Sequence, residues 1–469
     1  MMRSTTSKAQ PADQPGRPRR PWRSLLALLV GKAVRLVSRL SHHGGSALPG
    51  KVVERIDPGF LARTLSGLPR GVVLVSGTNG KTTTTRMVAS MLESLGLKVF
   101  TNPTGSNFTR GVVSALVSTL GLSGRLHADI AVLELDEAYA VHFVRQVKPR
   151  YALLLNVMRD QLDRFGEIDT TARLLGQVAQ ATTGTVVLNR EDPRIASLAA
   201  QTPAQTGVAY FGLSDDLLTY FPTDDDMHAS DRGADGDGAD GDGAGSAPPP
   251  VRHGHRLPAE VTLERVMDHR AAFRLDGRIL ETNLRLEGVY NLYNAAAALA
   301  LVRVVLEDRE PDDAALMDAL SKVTPAFGRG EVITYQGAPV ELVLVKNPMG
   351  FRLALSSFDP AGQDTMIAIR DEYADGRDMS WLWDVDFTSL RDTGVAMVSG
   401  TRAYDMALRL AYDKVPTEAI ETDLDRALAA FLEVHPGRPK RIYCTYTSML
   451  RLRSALGRIT SVDDAGVGA

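Results

Sequence analysis

Cysteine is almost missing from this chain: Cys444 is the only one among 469 residues. An intrachain disulfide and a cysteine-based zinc cluster are thereby excluded, and such usage fits a reducing compartment. A dominant charge sign is missing too. The 53 Lys and Arg stand against 56 Asp and Glu, a net charge of −3, so no global basic field argues for nucleic acid. Long apolar runs are the third absence. No stretch reaches the ~20 apolar residues that span a bilayer. The nearest, Leu25–Val30, is followed by Lys32, Arg35 and Arg39. What remains, 44% hydrophobic and 23% charged residues, is the composition of a soluble globular protein, long enough for two or three domains.

What is present is a phosphate cradle. The strand Val72-Val73-Leu74-Val75-Ser76 feeds Gly77-Thr78-Asn79-Gly80-Lys81-Thr82-Thr83. A helical pattern follows, with Met87, Val88, Met91, Leu92 and Leu95 on one face. Gly77 and Gly80 let backbone N–H groups turn inward toward phosphate oxygens. Lys81 is positioned to reach the β- and γ-phosphates, and Thr82 to ligate Mg²⁺. The usual spacing puts a further Gly where Val75 stands, so the loop is a shortened variant. The alternative, an ordinary Gly-rich turn, does not account for Lys-Thr-Thr directly after strand and loop.

Along the chain, residues 1–21 are rich in Pro, Arg, Ser and Gln and read as a disordered tail. Residues 22–52 read as a basic amphipathic helix and linker. Within it Lys32, Arg35 and Arg39 lie opposite Leu26, Val30, Val34, Val37 and Leu40. Such a helix either packs on the body with a solvated basic face or lies on a membrane surface. A secretory signal is disfavoured, because a nucleotide site outside the cell would lack ATP. The expected location is therefore cytoplasmic, with peripheral contact at the inner face of the plasma membrane as one option.

Residues 53–329 alternate apolar strands with helices, the pattern of a parallel sheet covered on both faces. Strands are predicted at Lys98–Thr101, Ile130–Leu135, Tyr151–Val157 and Thr185–Asn189. Ligands in such sheets sit at the carboxyl ends of strands, where Glu134, Asn156 and Asn189 fall. Residues 213–258, with the run Ala234–Gly243 and Pro248–Pro250, read as a flexible acidic insertion. A helix–loop–helix calcium loop is disfavoured there, since the place of its closing Glu is Ser246. His253 and His255 have no further ligands nearby. A strong helix follows at Gly288–Val305, Gly328–Glu331 reads as a hinge, and residues 330–469 read as a smaller α/β domain.

Several segments together resemble the Mur ligases, which join amino acids to peptidoglycan precursors. They are Gly77–Thr83, Glu134, Asn156–Gly166, Leu188–Pro193, Gly288–Asn294, Gly328–Glu331 and Lys346–Gly350. Asn156–Gly166 is similar to the family's N-x-x-x-D-H-x-D-R-x-G segment, with Gln161 where most members have His. Within the superfamily the chain resembles the MurT family, the ligase-like subunits of lipid II isoglutaminyl synthase. The residues that carry this are Glu134-Leu135-Asp136-Glu137, Arg159–Asp169, Lys346-Asn347-Pro348-Met349-Gly350, Ala374–Asp384 and Thr445–Leu450. Better-known relatives of that family carry a four-cysteine zinc ribbon. This chain has none, so zinc is not expected.

The resemblance implies an ATP- and Mg²⁺-dependent carbon–nitrogen ligase. Its substrate would be the α-carboxylate of D-glutamate in the lipid II stem peptide, converted through an acyl phosphate to D-isoglutamine. The ammonia would come from a separate GatD-like glutaminase subunit. The implied nucleotide site is Gly77, Thr78, Asn79, Gly80, Lys81, Thr82, Thr83, Asn291 and Arg329, with Thr82 and Glu134 on the metal. Lys81 and Glu134 serve catalysis, and Asp378 completes the partner's catalytic triad, with Asp375 as runner-up. The residues alone allow blander readings: Asn291 as a helix N-cap, Arg329 as a surface ion pair with Glu331, and Asp375, Arg377 and Asp378 as a charged turn. Cys444, in the apolar strand Ile442-Tyr443-Cys444, reads as buried rather than nucleophilic. Two other functions compete. One is a stand-alone amino-acid ligase of the Mur or folylpolyglutamate type. The other is a catalytically dead nucleotide-binding scaffold, against which the intact Lys81, Thr82 and Glu134 argue.

Overall fold

The computed structural model describes residues 22–40, 48–102, 107–121, 123–158, 168–221, 256–267, 270–284, 289–309, 311–324, 329–357 and 359–460. The expected N-terminal tail, most of the acidic insertion, Gly288, Gly328 and the segment around Gln161 lie outside the described residues.

Two sheets organise the chain. The larger has nine strands: β1 Val72–Ser76, β2 Val99–Thr101, β3 Ile130–Glu134, β4 Tyr151–Leu154, β5 Thr185–Asn189, β6 Gly207–Leu213, β7 Val261–Met267, β8 Arg270–Leu275 and β9 Arg278–Asn283. Their order is β2-β3-β1-β4-β5-β6-β7-β8-β9, parallel from β2 through β7. Strands β1, β3 and β4 are buried along their whole length, which is why they read as unbroken apolar runs. Alternate residues serve the two faces. Val73 and Val75 join one core with Met87, Met91 and the run Ala295–Ala300, while Val72 and Leu74 join the other with Leu116, Phe143 and Leu175.

The first core is covered by helices α4 Lys81–Ser94, α9 Val289–Val305 and α10 Asp313–Ser321. The second is covered by α1 Trp22–Leu40, α2 Leu48–Ile56, α3 Phe60–Leu65, α5 Thr109–Thr119, α6 Glu137–Val144, α7 Ile168–Ala181 and α8 Pro193–Ser197. The parallel sheet with helices on both faces is as expected. The antiparallel meander β7–β9 at its edge is a difference. Its strands are half exposed and carry Arg and Glu outward, so no continuous apolar run announced them. The expected insertion also begins too early at residue 213. Leu217, Leu218 and Phe221 are buried, and the Phe221 ring lies 5.2 Å from that of Tyr293.

The smaller sheet contains β10 Arg329–Tyr335, β11 Ala338–Leu344, β12 Asp364–Ala368, β13 Met397–Ser399, β14 Ile420–Glu421 and β15 Lys440–Cys444, in the order β10-β11-β15-β12-β13-β14. All neighbours are parallel except the β10–β11 hairpin, which turns through Gln336 and Gly337 at positive φ. Helices α11 Pro348–Ser357, α12 Ala403–Tyr412, α13 Leu424–Glu433 and α14 Tyr446–Leu456 pack around it.

The N-terminal helix spans the expected residues but faces differently. Ser24, Ala27, Leu28 and Gly31 point inward, whereas Leu26 and Val37, expected on the packed face, are exposed. The reason is close approach: a Cβ at Gly31 would sit 2.6 Å from Val53 Cγ2 of α2 and 3.2 Å from Val117 Cγ2 of α5. Ser24 Oγ also donates to buried Asp57 at 2.6 Å. Small residues beside Leu28 let the helix dock, and Leu25, Leu26, Leu29 and Leu36 are left on the far side. Gly31→Leu should therefore pry α1 from the body and cost about 1–3 kcal/mol. Thermal melting checks this, and an unchanged melt would mean α1 is not seated on α2 and α5.

Candidate active site

The site begins where β1 ends. Gly77 has φ +135° and Gly80 has φ +85°, a region open to glycine and closed to most side chains. The surroundings are closed as well. A Cβ at Gly77 would lie 3.0 Å from the Asn156 nitrogen, and one at Gly80 only 2.4 Å from Asn294 Oδ1. The loop therefore passes between the carboxyl end of β4 and the first turns of α9, with no room for a side chain at Gly77 or Gly80.

Asparagine amides hold the loop. The Asn79 backbone N–H donates to Asn156 Oδ1 at 2.8 Å, and Asn156 Nδ2 donates back to the Asn79 carbonyl at 3.0 Å and to the Tyr290 hydroxyl at 3.0 Å. Burial and the nearby Asp192 carboxylate push the Tyr290 hydroxyl well above the usual phenol range. Asp192 caps α8 through the Arg194 and Ile195 N–H groups and also accepts from Val157 N–H; burial pushes its carboxyl up to about 6. From the second sheet, Asn347 Nδ2 donates to Asn79 Oδ1 at 3.0 Å and Asn79 Nδ2 donates back at 3.3 Å. Lys346 Nζ reaches the Thr78 carbonyl at 3.1 Å. Asn347 also caps α11, its Oδ1 accepting from Gly350 N–H at 2.7 Å ahead of Pro348 at the first helical position. Lys346 and Asn347 thus bring the smaller domain onto the loop.

The charged residues gather on the β3 side, because β3 lies beside β1. Thr82 Oγ1 donates to Glu134 Oε1 at 2.8 Å. Asn102 brackets Glu134, donating to its carbonyl at 3.0 Å and accepting its N–H at 2.9 Å. Lys81 Nζ donates to the Gly77 carbonyl at 2.6 Å and lies 3.3 Å from Asp136 and 3.5 Å from Glu137. A buried ammonium needs such counter-charges. Among the described residues the buried Thr83 Oγ1 has no partner at the helix N-terminus, where the α4 dipole favours an anion.

This donor set fits a Mg²⁺-nucleotide. Thr82 and Glu134 supply hard oxygens, and Mg²⁺ typically takes one or two protein oxygens with waters and phosphates completing its shell. The Gly77–Gly80 turn, Lys81 and Thr83 would receive the phosphates.

The expected residues Gly77, Thr78, Asn79, Gly80, Lys81, Thr82, Thr83 and Glu134 come together here. Asn291 lies inside the first turn of α9, two residues past its start, so it is not the N-cap. Arg329 opens β10 opposite Val343 beside a bulge; its side chain is outside the described residues. Asp378 is not at this site. It lies on the exposed turn before the 3₁₀ segment Ser380–Asp384. Asp136, Glu137, Asn156, Asn294, Lys346 and Asn347 were not assigned roles from sequence. The signal was present for most of them, since Asp136 and Asn156 fall two residues past strand ends, Glu137 opens a helix and Asn347 heads another.

Gly80→Ala should weaken nucleotide binding by about tenfold or more, because the loop cannot hold φ +85° and Asn294 together with a Cβ. Titration with an ATP analogue checks it, and unchanged affinity would mean that this turn does not hold the phosphates.

Comparison with known proteins agrees with this geometry. Residues 75–302 match the Mur ligase middle domain, and residues 344–449 match the MurT ligase C-terminal domain. The chain is 31% identical to the MurT subunit of lipid II isoglutaminyl synthase (glutamine-hydrolyzing) from Streptococcus pneumoniae, over 92% of this chain and 97% of that protein. Among solved structures, MurF from Acinetobacter baumannii superposes with a TM-score of 0.63 at 16% identity, covering 88% of this chain and 80% of the other. MurF ligase from Thermotoga maritima in complex with ADP gives 0.61 at 15%, covering 87% and 84%. These two share the fold. Cradle, sheet order and sequence relationship agree: the chain belongs to the Mur ligases, a family of ATP-dependent ligases, and within them to the MurT family.

Proposed function

We propose that this chain is the ATP-consuming subunit of a lipid II isoglutaminyl synthase, acting with a GatD-like glutaminase at the inner face of the membrane. The α-carboxylate oxygen of D-glutamate in the lipid II stem peptide would attack the γ-phosphorus of ATP, expelling ADP and leaving an acyl phosphate. Ammonia nitrogen would then add to the acyl carbon, expelling phosphate and leaving D-isoglutamine. Lys81 and the loop N–H groups would offset the charge of the transferring phosphoryl group. Thr82 and Glu134 would hold Mg²⁺, which neutralises phosphate charge when bound. Asn291 and Arg329 would make the nucleotide contacts that the family resemblance implies.

The observation that carries the two-subunit reading is the contrast between two aspartates. Asp375 is buried and committed within the chain: it accepts from Thr447 N–H at 2.8 Å, from Thr447 Oγ1 and from Glu372 N–H at 3.2 Å, and burial raises its carboxyl. Asp378 is exposed, and Ser380 is the sole partner of its carboxylate among the described residues. That contact holds it below the usual carboxylate range. An ionised carboxylate on the surface can orient and charge-stabilise an imidazole supplied from outside. The chain's own thiol is no nucleophile, since Cys444 is fully buried and burial pushes it up.

Co-purification with the glutaminase, followed by a glutamine- and ATP-dependent amidation assay on lipid II, tests the reading. Amidated product that requires both proteins supports it; a chain that purifies alone and couples an amino acid overturns it. Lys81→Ala should lower amidation by roughly a hundredfold or more while the two proteins still co-purify. Asp378→Asn should lower glutamine hydrolysis by roughly a hundredfold or more, with ammonia-driven amidation surviving. Asp375→Asn should instead lower the melting temperature. Loss of glutamine hydrolysis in a well-folded Asp375 variant, with Asp378→Asn silent, would transfer the triad role.

A further inference from the structure

The outward face of α1 is an apolar stripe that the fold leaves uncovered. Trp22, Leu25, Leu26, Leu29, Ala33, Leu36 and Val37 are all exposed, Trp22 at 69%, Leu29 at 51%, Leu36 at 60% and Val37 at 63%. At 3.6 residues per turn they fall within an arc of about 120°. The opposite arc holds Ser24, Ala27, Leu28 and Gly31, which fix the helix to α2, α5 and Asp57. On the same wheel Arg23 and Lys32 flank the stripe on its two sides. A soluble protein rarely leaves so continuous an apolar face bare.

Charge says what covers it. The helix carries Arg23, Lys32, Arg35 and Arg39 and no acidic residue. Residues 1–40 contain nine Lys or Arg against one Asp, which leaves 44 against 55 in the rest of the chain. A cationic N-terminal segment is thus joined to an acidic body. Two copies of α1 packed face to face would bring like charges together. An anionic bilayer surface instead meets both features: headgroups attract Arg23 and Lys32 while acyl chains receive the leucines, with Trp22 suited to the interface. Among the described residues no helix is long and apolar enough to cross a membrane.

We infer that α1 is an interfacial docking helix that lays Trp22, Leu25, Leu26, Leu29, Leu36 and Val37 into an anionic phospholipid surface. The inference rests on the proposed function only in placing the protein beside a lipid-linked substrate. The acidic body is repelled by the same surface, so α1 faces the bilayer. Helix α5, on which α1 sits, starts two residues after Asn107, whose carbonyl accepts the N–H of Asp136 beside Lys81. The docked face is therefore one helix away from the phosphate cradle.

Vesicle flotation of the full chain, without substrate or partner, tests this. The parent should float with vesicles of equal parts phosphatidylcholine and phosphatidylglycerol, and less with pure phosphatidylcholine. Leu29→Asp with Leu36→Asp should cut partitioning at least tenfold, with melting temperature and oligomeric state unchanged. Arg23→Gln with Lys32→Gln keeps the stripe and should cut it about fivefold per cation; this pair decides the matter if the aspartate variant misfolds. Equal flotation of parent and variants would overturn the inference. So would a dimeric parent made monomeric by the aspartates, which would assign the stripe to a second copy. Amidation of a water-soluble substrate analogue reports on the enzyme reading separately, because neither pair touches the cradle.

Discussion

The structure turns on the loop Gly77 to Gly80, whose two glycines approach neighbouring groups more closely than a side chain permits. Both sit at positive φ, and each has an asparagine pressed against the place where a Cβ would be. The sheet order follows the same need. It sets β3 on one side of β1 and β4 on the other, so a carboxylate strand end and an amide strand end flank the loop. Asparagine suits the clamp because a neutral amide both donates and accepts. Asn156 can therefore satisfy an N–H and a carbonyl of Asn79 without placing charge where phosphate oxygens must come.

Charge is kept to one side and is divided there. Glu134 faces Thr82, held by the Asn102 bracket, while Asp136 and Glu137 accompany Lys81. A buried ammonium and a buried carboxylate each carry a desolvation cost that nearby partners offset. The separation sets Glu134 against Thr82 and Lys81 against Asp136 and Glu137 beside the loop. The smaller domain joins by the same chemistry, with an amide pair between Asn79 and Asn347 and an ammonium from Lys346 on the Thr78 carbonyl. The loop is thus held by both domains at once.

Around this centre the outer helices follow a simpler rule of size. Gly31 and Ala27 let α1 lie close on its neighbours, and Gly50 does the same for α2, whose Cβ would fall 2.1 Å from the Arg110 carbonyl. Where small residues make the contact, large ones are left facing out. The outward leucines of α1 are a consequence of how that helix docks. Asp378 shows the complementary case: its turn is held by Ser380 while the buried Asp375 two hydrogen bonds deep on Thr447 anchors the same segment.

The sequence by itself determined the cradle, the parallel sheet covered on both faces and the span of α1. A strand buried on two sides must be apolar throughout, and a phosphate turn needs glycine at fixed places; both constraints are local and leave a readable pattern. It also pointed to Thr82 and Glu134 as a pair, which the fold brings within 2.8 Å, since each stands at a position defined by its own strand or helix. Only the tertiary structure decided the rest. The meander β7–β9 owes its place to pairing with β6, and its half-exposed strands carry no continuous pattern. Asn294 and Asn347 reach the loop from residues more than 200 positions away. The direction of the α1 leucines could not be read from periodicity, because the helix has apolar residues on two faces. Which face packs was settled by how closely α2 and α5 can approach Gly31, a steric condition that exists only once the chain has folded.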